Sequence, residues 1–169
     1  PAAPPEERAK AWAWQLLRRY GVVFRDLMTR EAAVPTWWEL SSAFRRLEAR
    51  GEIRGGRFVS GVAGEQYALP EAVESIRRPR EPGEWLIVAA SDPLALSGVL
   101  DKSPRVPAVR GNRLLYRDGI VVAIHQAGEI SFRAELSESA QRLASRALQL
   151  QIPTLRDGVL SELAQILAA

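Results

Sequence analysis

The chain has 169 residues, 47% apolar and 25% charged, the balance of an ordinary globular protein with room for one medium domain or two small ones. It has no cysteine, which removes disulfides, thiolate nucleophiles and Cys-ligated zinc, and His125 is its only histidine, so paired-histidine metal motifs lack their parts. The net charge is only +3, and the whole excess lies in residues 1–82, which carry 14 basic and 11 acidic side chains against 9 and 9 in 83–169. No stretch approaches the roughly 18 uninterrupted apolar residues of a membrane span. No signal peptide, GxxxxGK[ST] loop or GxGxxG turn is present, so a nucleotide-phosphate cradle is not expected. The lack of cysteine suits a reducing cytoplasm. A start at Pro1-Ala2-Ala3-Pro4-Pro5 without methionine suggests a piece of a longer protein.

From Glu6 to Tyr20, residues Ala9, Trp12, Ala13, Leu16, Leu17 and Tyr20 recur at helical spacing, and Gly21 stops the run. A short second helix fits Phe24 to Glu31, with Phe24, Leu27 and Met28 on one side. Thr36 with Glu39 three residues on makes a capping box for a third helix, about Trp37 to Arg50, which buries Trp37, Leu40, Phe44 and Leu47. Past Gly51 the period changes. Arg57-Phe58-Val59 and Gln66-Tyr67-Ala68-Leu69, around the loop Gly61-Val62-Ala63-Gly64, predict a β-hairpin. Three helices followed by a hairpin predict a winged helix, in which the third helix takes the DNA groove and the hairpin is the wing.

Residues 71–84 read as a linker with a helical start. Beyond it, Trp85-Leu86-Ile87-Val88-Ala89 predicts a buried strand, residues 94–100 a helical turn or irregular loop, and Arg105-Val106-Pro107-Ala108 a short edge strand. Arg117-Asp118-Gly119 between Leu114-Leu115-Tyr116 and the run 120–124 is a strong hairpin signal, and a second turn at 126–129 leads into 130–134. Short strands joined by tight turns suggest a small barrel, closed by two helices, about Ser139 to Leu150 and Leu155 to Leu167. The fold class expected is therefore α+β: a winged helix over 1–75, a linker over 76–84, and a β-barrel module with C-terminal helices over 85–169.

Candidate chemistry is confined to cations and one aromatic pair. Arg45 and Arg46 point away from the apolar stripe of the third helix, where phosphate contact is expected rather than base reading; the alternative is a solvated face with Arg45 paired to Glu48 or Glu52. Arg54, Arg57 and the Arg77-Arg78-Pro79-Arg80 group lie beside the wing and would extend a positive track, or merely solvate a linker. Trp37 and Trp38 are adjacent and cannot share a helix face, so one belongs to the core and the other, Trp38, to core-rim packing, a domain contact or stacking on a base. In Arg110-Gly111-Asn112-Arg113, two arginines around a turn make either a phosphate nest or a plain turn with positive φ at Gly111 and Asn112. His125 reads as a packed or surface histidine, and Asp92, Asp118 and Asp157 each sit at a turn or pre-helix position. No catalytic residue, metal site or bound cofactor is expected.

The strings Arg19-Tyr20-Gly21-Val22-Val23-Phe24-Arg25-Asp26-Leu27, Phe44 through Val59, Gly64-Glu65-Gln66-Tyr67-Ala68-Leu69-Pro70, Ala89-Ala90-Ser91-Asp92-Pro93-Leu94 and Arg110-Gly111-Asn112-Arg113 together resemble the C-terminal region of the bacterial large helicase-related (Lhr) family. The resemblance implies a long superfamily 2 DNA-dependent ATPase that moves 3′-to-5′ on single-stranded DNA and unwinds duplexes, RNA–DNA hybrids included. ATP and magnesium would belong to an N-terminal core, and this chain would be the last winged helix plus a barrel. Its expected work is to support nucleic-acid binding or assembly in a cytoplasmic DNA-repair helicase, beside upstream winged helices of the same chain. The alternatives are an oligomerisation scaffold and part of a uracil-DNA glycosylase. The run 115–123 is similar to the closing strands of winged-helix glycosylases, yet neither Gln66 nor Gln126 lies in a matching catalytic motif.

Overall fold

The computed structural model describes residues 3–79, 82–100, 103–150 and the backbone of 154–156. The chain divides into two compact units, Pro1–Pro79 and Arg80–Ala169.

The first unit opens with helix α1, Pro5–Tyr20, which buries Ala9, Ala13, Leu16 and Leu17 as its spacing requires. Gly21, at φ 71°, ends it with a backbone bond to the Leu17 carbonyl. The short second helix expected at 24–31 forms as a 3-10 helix, Arg25–Arg30, and Phe24 belongs instead to strand β1, Val22–Phe24. The β-branched Val22 and Val23 favour the extended chain. They also find a partner far along the sequence, since β1 pairs antiparallel with strand β3, Gln66–Ala68.

Helix α2, Trp37–Ala49, starts on the predicted capping box: the Glu39 N–H donates to the Thr36 hydroxyl, and the Glu39 carboxylate accepts from the Thr36 amide at 2.8 Å. The Thr36 side chain and amide together hold the Glu39 carboxyl below its ordinary pKa. Leu40, Phe44 and Leu47 of α2 pack with Leu16, Leu17 and Ile53, and Tyr67 stacks on Phe44 with ring centroids 4.9 Å apart. The outgoing arm of the wing is not 57–59 but strand β2, Arg54–Gly56, paired with β3. Residues 57–59 leave the ladder because the side chain of Gln66, rather than the β3 backbone, takes their polar groups. Its amide oxygen accepts from Phe58 N and Val59 N, both at 2.8 Å, and its Nε2 donates to the Val59 and Val62 carbonyls. The first sheet thus has three strands in the order β1-β3-β2, and helix α3, Pro70–Arg77, follows.

Among the described residues the strands of the second unit form one open antiparallel sheet, and the closed barrel expected is not seen. Its order is β7-β6-β5-β4-β8, from strands β4 (Glu84–Ala89), β5 (Arg113–Arg117), β6 (Ile120–Gln126), β7 (Glu129–Phe132) and β8 (Thr154–Arg156). The two hairpins form where the sequence signals them. Asp118 and Gly119 (φ 52° and 83°) join β5 to β6, and Ala127 and Gly128 (φ 53° and 86°) join β6 to β7, with positive φ at both central positions as right-twisted hairpins require. Asp118 also reaches back, its Oδ1 accepting from the amides of Gly83 and Glu84 at the start of β4.

Helix α4, Glu138–Leu150, covers one sheet face, packing Ala144, Ala147 and Leu148 against Trp85, Leu115 and Ala123. That face of the sheet is thereby buried under a helix. The opposite face carries Leu114 and Ile124 beneath Ala90, Ala95 and Val106. Three further expectations are corrected here. Strand β4 is central but not buried on both sides: Trp85 is buried while Leu86 is exposed. Residues 105–108 form no strand, because Pro107 has no N–H to give and its carbonyl is taken by Asn112 Nδ2. The start of the second closing helix, Leu155 and Arg156, lies instead in β8, and the rest of that helix falls outside the described residues.

Candidate nucleic-acid interface

Helix α2 is the third helical element of the first unit, the position that helix-turn-helix units present to nucleic acid. Its capping box sets the phase of everything downstream. With Thr36 as cap, Trp37 turns inward and packs at 6.1 Å from Phe44, while Trp38 turns outward and is 77% exposed. Ser42, Arg45 and Ala49 follow Trp38 at intervals of four, three and four residues, so all four lie on one outward stripe.

Arg45 does not pair with Glu48 or Glu52. It crosses to the wing loop, where Nε and Nη2 donate to Glu65 Oε1 at 3.2 and 3.0 Å and Nη2 also reaches Oε2 at 3.1 Å. The Glu65 carboxylate, first by these hydrogen bonds and then by its charge, holds Arg45 above its ordinary pKa. Beside the pair, burial raises the Tyr67 phenol. An open groove runs between α2 and the wing, lined by Glu48, Gly55, Arg57, Glu65 and Tyr67. The groove is therefore of mixed charge rather than a run of cations.

The remaining arginines of this unit separate. Arg46 is exposed on the other flank of α2, near Glu6, Glu7, Lys10 and Arg50. Arg54 turns back on its own chain, with Nη1 donating to the Gly51 and Ile53 carbonyls in the turn that joins α2 to β2. Arg57 stays exposed at the groove, with one long bond from Nη1 to the Val62 carbonyl at 3.4 Å. Arg77 and Arg78 are exposed at the end of α3, and Arg80 lies outside the described residues.

In the second unit, Arg110-Gly111-Asn112-Arg113 forms a structural node. Gly111 has φ 96°, but Asn112 is not left-handed; it is buried, donates to the Pro107 carbonyl and accepts from the Ala127 amide. His125 Nδ1 lies 3.0 Å from the Gly111 carbonyl, tying the same turn to β6. Arg113 donates through Nη1 to the Leu148 carbonyl at 2.6 Å, near the C-terminus of α4, where a cation suits the helix dipole. Arg110 alone of this group points into solvent without a hydrogen bond or ion pair among the described residues. Asp92 closes its own turn by accepting from the Leu94 amide.

Two contributors escaped the sequence reading: Glu65, which occupies Arg45, and Gln66, which builds the wing. Glu65 is 20 residues from its partner, and no local spacing marks that pair. The one available signal was the position of both residues just after Gly64, at the return of the hairpin. Among the described residues no cluster of three or more His, Asp or Glu side chains is placed to hold a metal ion, and no helix is long and apolar enough to cross a membrane.

Residues 2–85 match the family described as the winged-helix domain of large helicase-related protein. A curated relative, the Lhr helicase/uracil glycosylase of Escherichia coli (strain K12), is 31% identical over 108 residues, which cover 60% of this chain and 7% of that protein. The matched family extends from α1 across the wing and α3 to the first residues of β4, taking in the whole Trp38–Arg45–Glu65 arrangement. The chain is thus a region of a large helicase-related (Lhr) family protein, and residues 2–85 are its winged-helix domain.

Proposed function

We propose that this region supports nucleic-acid binding within an ATP-dependent 3′-to-5′ DNA repair helicase and performs no catalysis of its own. The observation that carries the reading is Trp38. An indole left 77% exposed at the head of the third helix, when Trp37 beside it is packed inward, is a surface available for stacking. Stacking an unpaired base on an aromatic ring is worth about 1–3 kcal/mol and tolerates any sequence, so a single strand is the partner favoured. Ser42 and Arg45 continue the stripe, with Arg46 and Arg57 on its flanks. ATP and magnesium would act at the motor core, and the upstream winged helices of the same chain would share the strand.

The test is fluorescence anisotropy of a labelled mixed-sequence single-stranded oligonucleotide at low salt. Trp38→Ala is expected to weaken binding by about ten-fold or more, in line with the loss of one stacked base. Affinity unchanged by Trp38→Ala overturns the reading. Uracil excision is not assigned to this chain: the side-chain amide of Gln66 is committed to four backbone groups, and Gln126 sits at a β-turn. A second reading, assembly of the full-length protein, draws on a different observation. Leu86, Leu94 and Leu100 are exposed and line one apolar groove of the second unit with Val88 and Tyr116. Mass that rises with concentration in light scattering would favour it.

A further inference from the structure

We propose that the Glu65 carboxylate is a resident stand-in for a nucleic-acid phosphate, so that the wing loop and a phosphodiester compete for the same Arg45 guanidinium. The inference rests on the reading that the α2 stripe faces nucleic acid, and it adds a regulated subsite to that stripe.

The geometry of the pair is the starting point. Arg45 offers Nε and Nη2 side by side, and the carboxylate meets both, at 3.2 and 3.0 Å on one oxygen and 3.1 Å on the other. Two adjacent N–H groups meeting two oxygens of one anion is also how a guanidinium holds the non-bridging oxygens of a phosphodiester. The carboxylate therefore fills the position that a phosphate would take.

The pair is also easy to open. The Arg45 and Glu65 side chains are 60% and 47% exposed, so water screens their attraction. Exposed pairs of this kind shift an equilibrium by about five-fold at most. Glu65 sits in an irregular segment next to Gly64 (φ 85°), outside the β3 ladder, so its side chain can swing away without breaking a strand. Trp38 stands seven residues before Arg45 on the same stripe, a rise of about 10 Å, within reach of a short single strand whose base rests on the indole. Glu48 lines the same groove and has no ion pair to Arg45, which makes it the natural control for charge alone.

The experiment uses the full chain and the same single-stranded oligonucleotide. Glu65→Gln keeps the shape of the side chain and removes its charge. The expected result is a gain in affinity of about two- to five-fold, and a log–log salt dependence steeper by about 0.7, the signature of one additional phosphate contact on a single strand. Arg45→Met placed on top of Glu65→Gln abolishes the gain, and Glu48→Gln gives a smaller one. The thermal midpoint of Glu65→Gln, measured alongside, is expected to stay near that of the parent chain. The proposal is overturned if Glu65→Gln binds no more tightly than the parent, or if Glu48→Gln gains as much. When Trp38→Ala loses affinity but Glu65→Gln gains none, only the competition fails; when neither variant changes binding, the underlying reading fails with it.

Discussion

Replacing Gln66 by methionine isolates the part of the wing that no backbone ladder supports. The residue is 1% exposed, and its amide group makes four hydrogen bonds, to Phe58 N and Val59 N at 2.8 Å, Val59 O at 3.1 Å and Val62 O at 3.2 Å. Methionine has nearly the same length and volume, so the substitution removes polarity without opening a cavity. A net hydrogen bond contributes about 0.5–1.5 kcal/mol, and a buried group left without a partner costs about 1–3 kcal/mol. Phe58 and Val59 are only half-buried, so water recovers part of what their amides lose. The expected loss is therefore about 2–3 kcal/mol rather than the full sum of four bonds. Urea denaturation followed by tryptophan fluorescence measures it, and hydrogen exchange locates it, with protection of the Phe58 and Val59 amides falling about ten-fold or more. A loss under about 1 kcal/mol with those two amides still protected would refute the claim that one side chain holds the wing loop.

Three further outcomes follow from local geometry. Thr36→Ala removes the cap of α2 and is expected to cost about 1 kcal/mol in the same denaturation assay. Because Thr36 depresses the Glu39 pKa, the contribution of Glu39 is complete above the ordinary Glu range and is lost as pH falls through its lowered folded value; the stability gap between the parent and Glu39→Gln should close on acidification. At the β5–β6 tip, Asp118→Ala forfeits both the left-handed tolerance of Asp and the acceptor for the Gly83 and Glu84 amides. It should destabilise by about 1–2 kcal/mol, whereas Asp118→Asn, which keeps both, should stay near the parent by thermal melting.

Much of the fold was legible because its signals are short. The α1 stripe, the Gly21 stop, the Thr36–Glu39 box and the Asp118-Gly119 turn each rest on partners within a few residues, so spacing alone locates them. The inward and outward roles of Trp37 and Trp38 follow from the same phase. The short second helix starts one residue later than its spacing suggests because Phe24 pairs with Gln66 of β3, more than 40 residues on, and it winds as a 3-10 rather than an α-helix. The hairpin arm was misplaced because the Gln66 side chain, not backbone periodicity, binds 58 and 59.

The candidate site divides along the same line. Sequence by itself named the candidates for meeting a polyanion, the cations at 45, 46, 54, 57, 110 and 113 and an outward tryptophan, because charge and helical phase are local properties. Only the tertiary structure decided which of those cations remain available. Arg54 goes to the carbonyls of the turn just before it, Arg113 to the Leu148 carbonyl 35 residues away, and Arg45 to a wing carboxylate 20 residues away. The same holds for the second sheet: tight turns dictate hairpins, but the packing of α4 across one face of the sheet joins residues far apart in the chain, which no local spacing marks. A guanidinium binds whichever anion or carbonyl the fold brings within about 3 Å, and that distance is set by the folded chain as a whole.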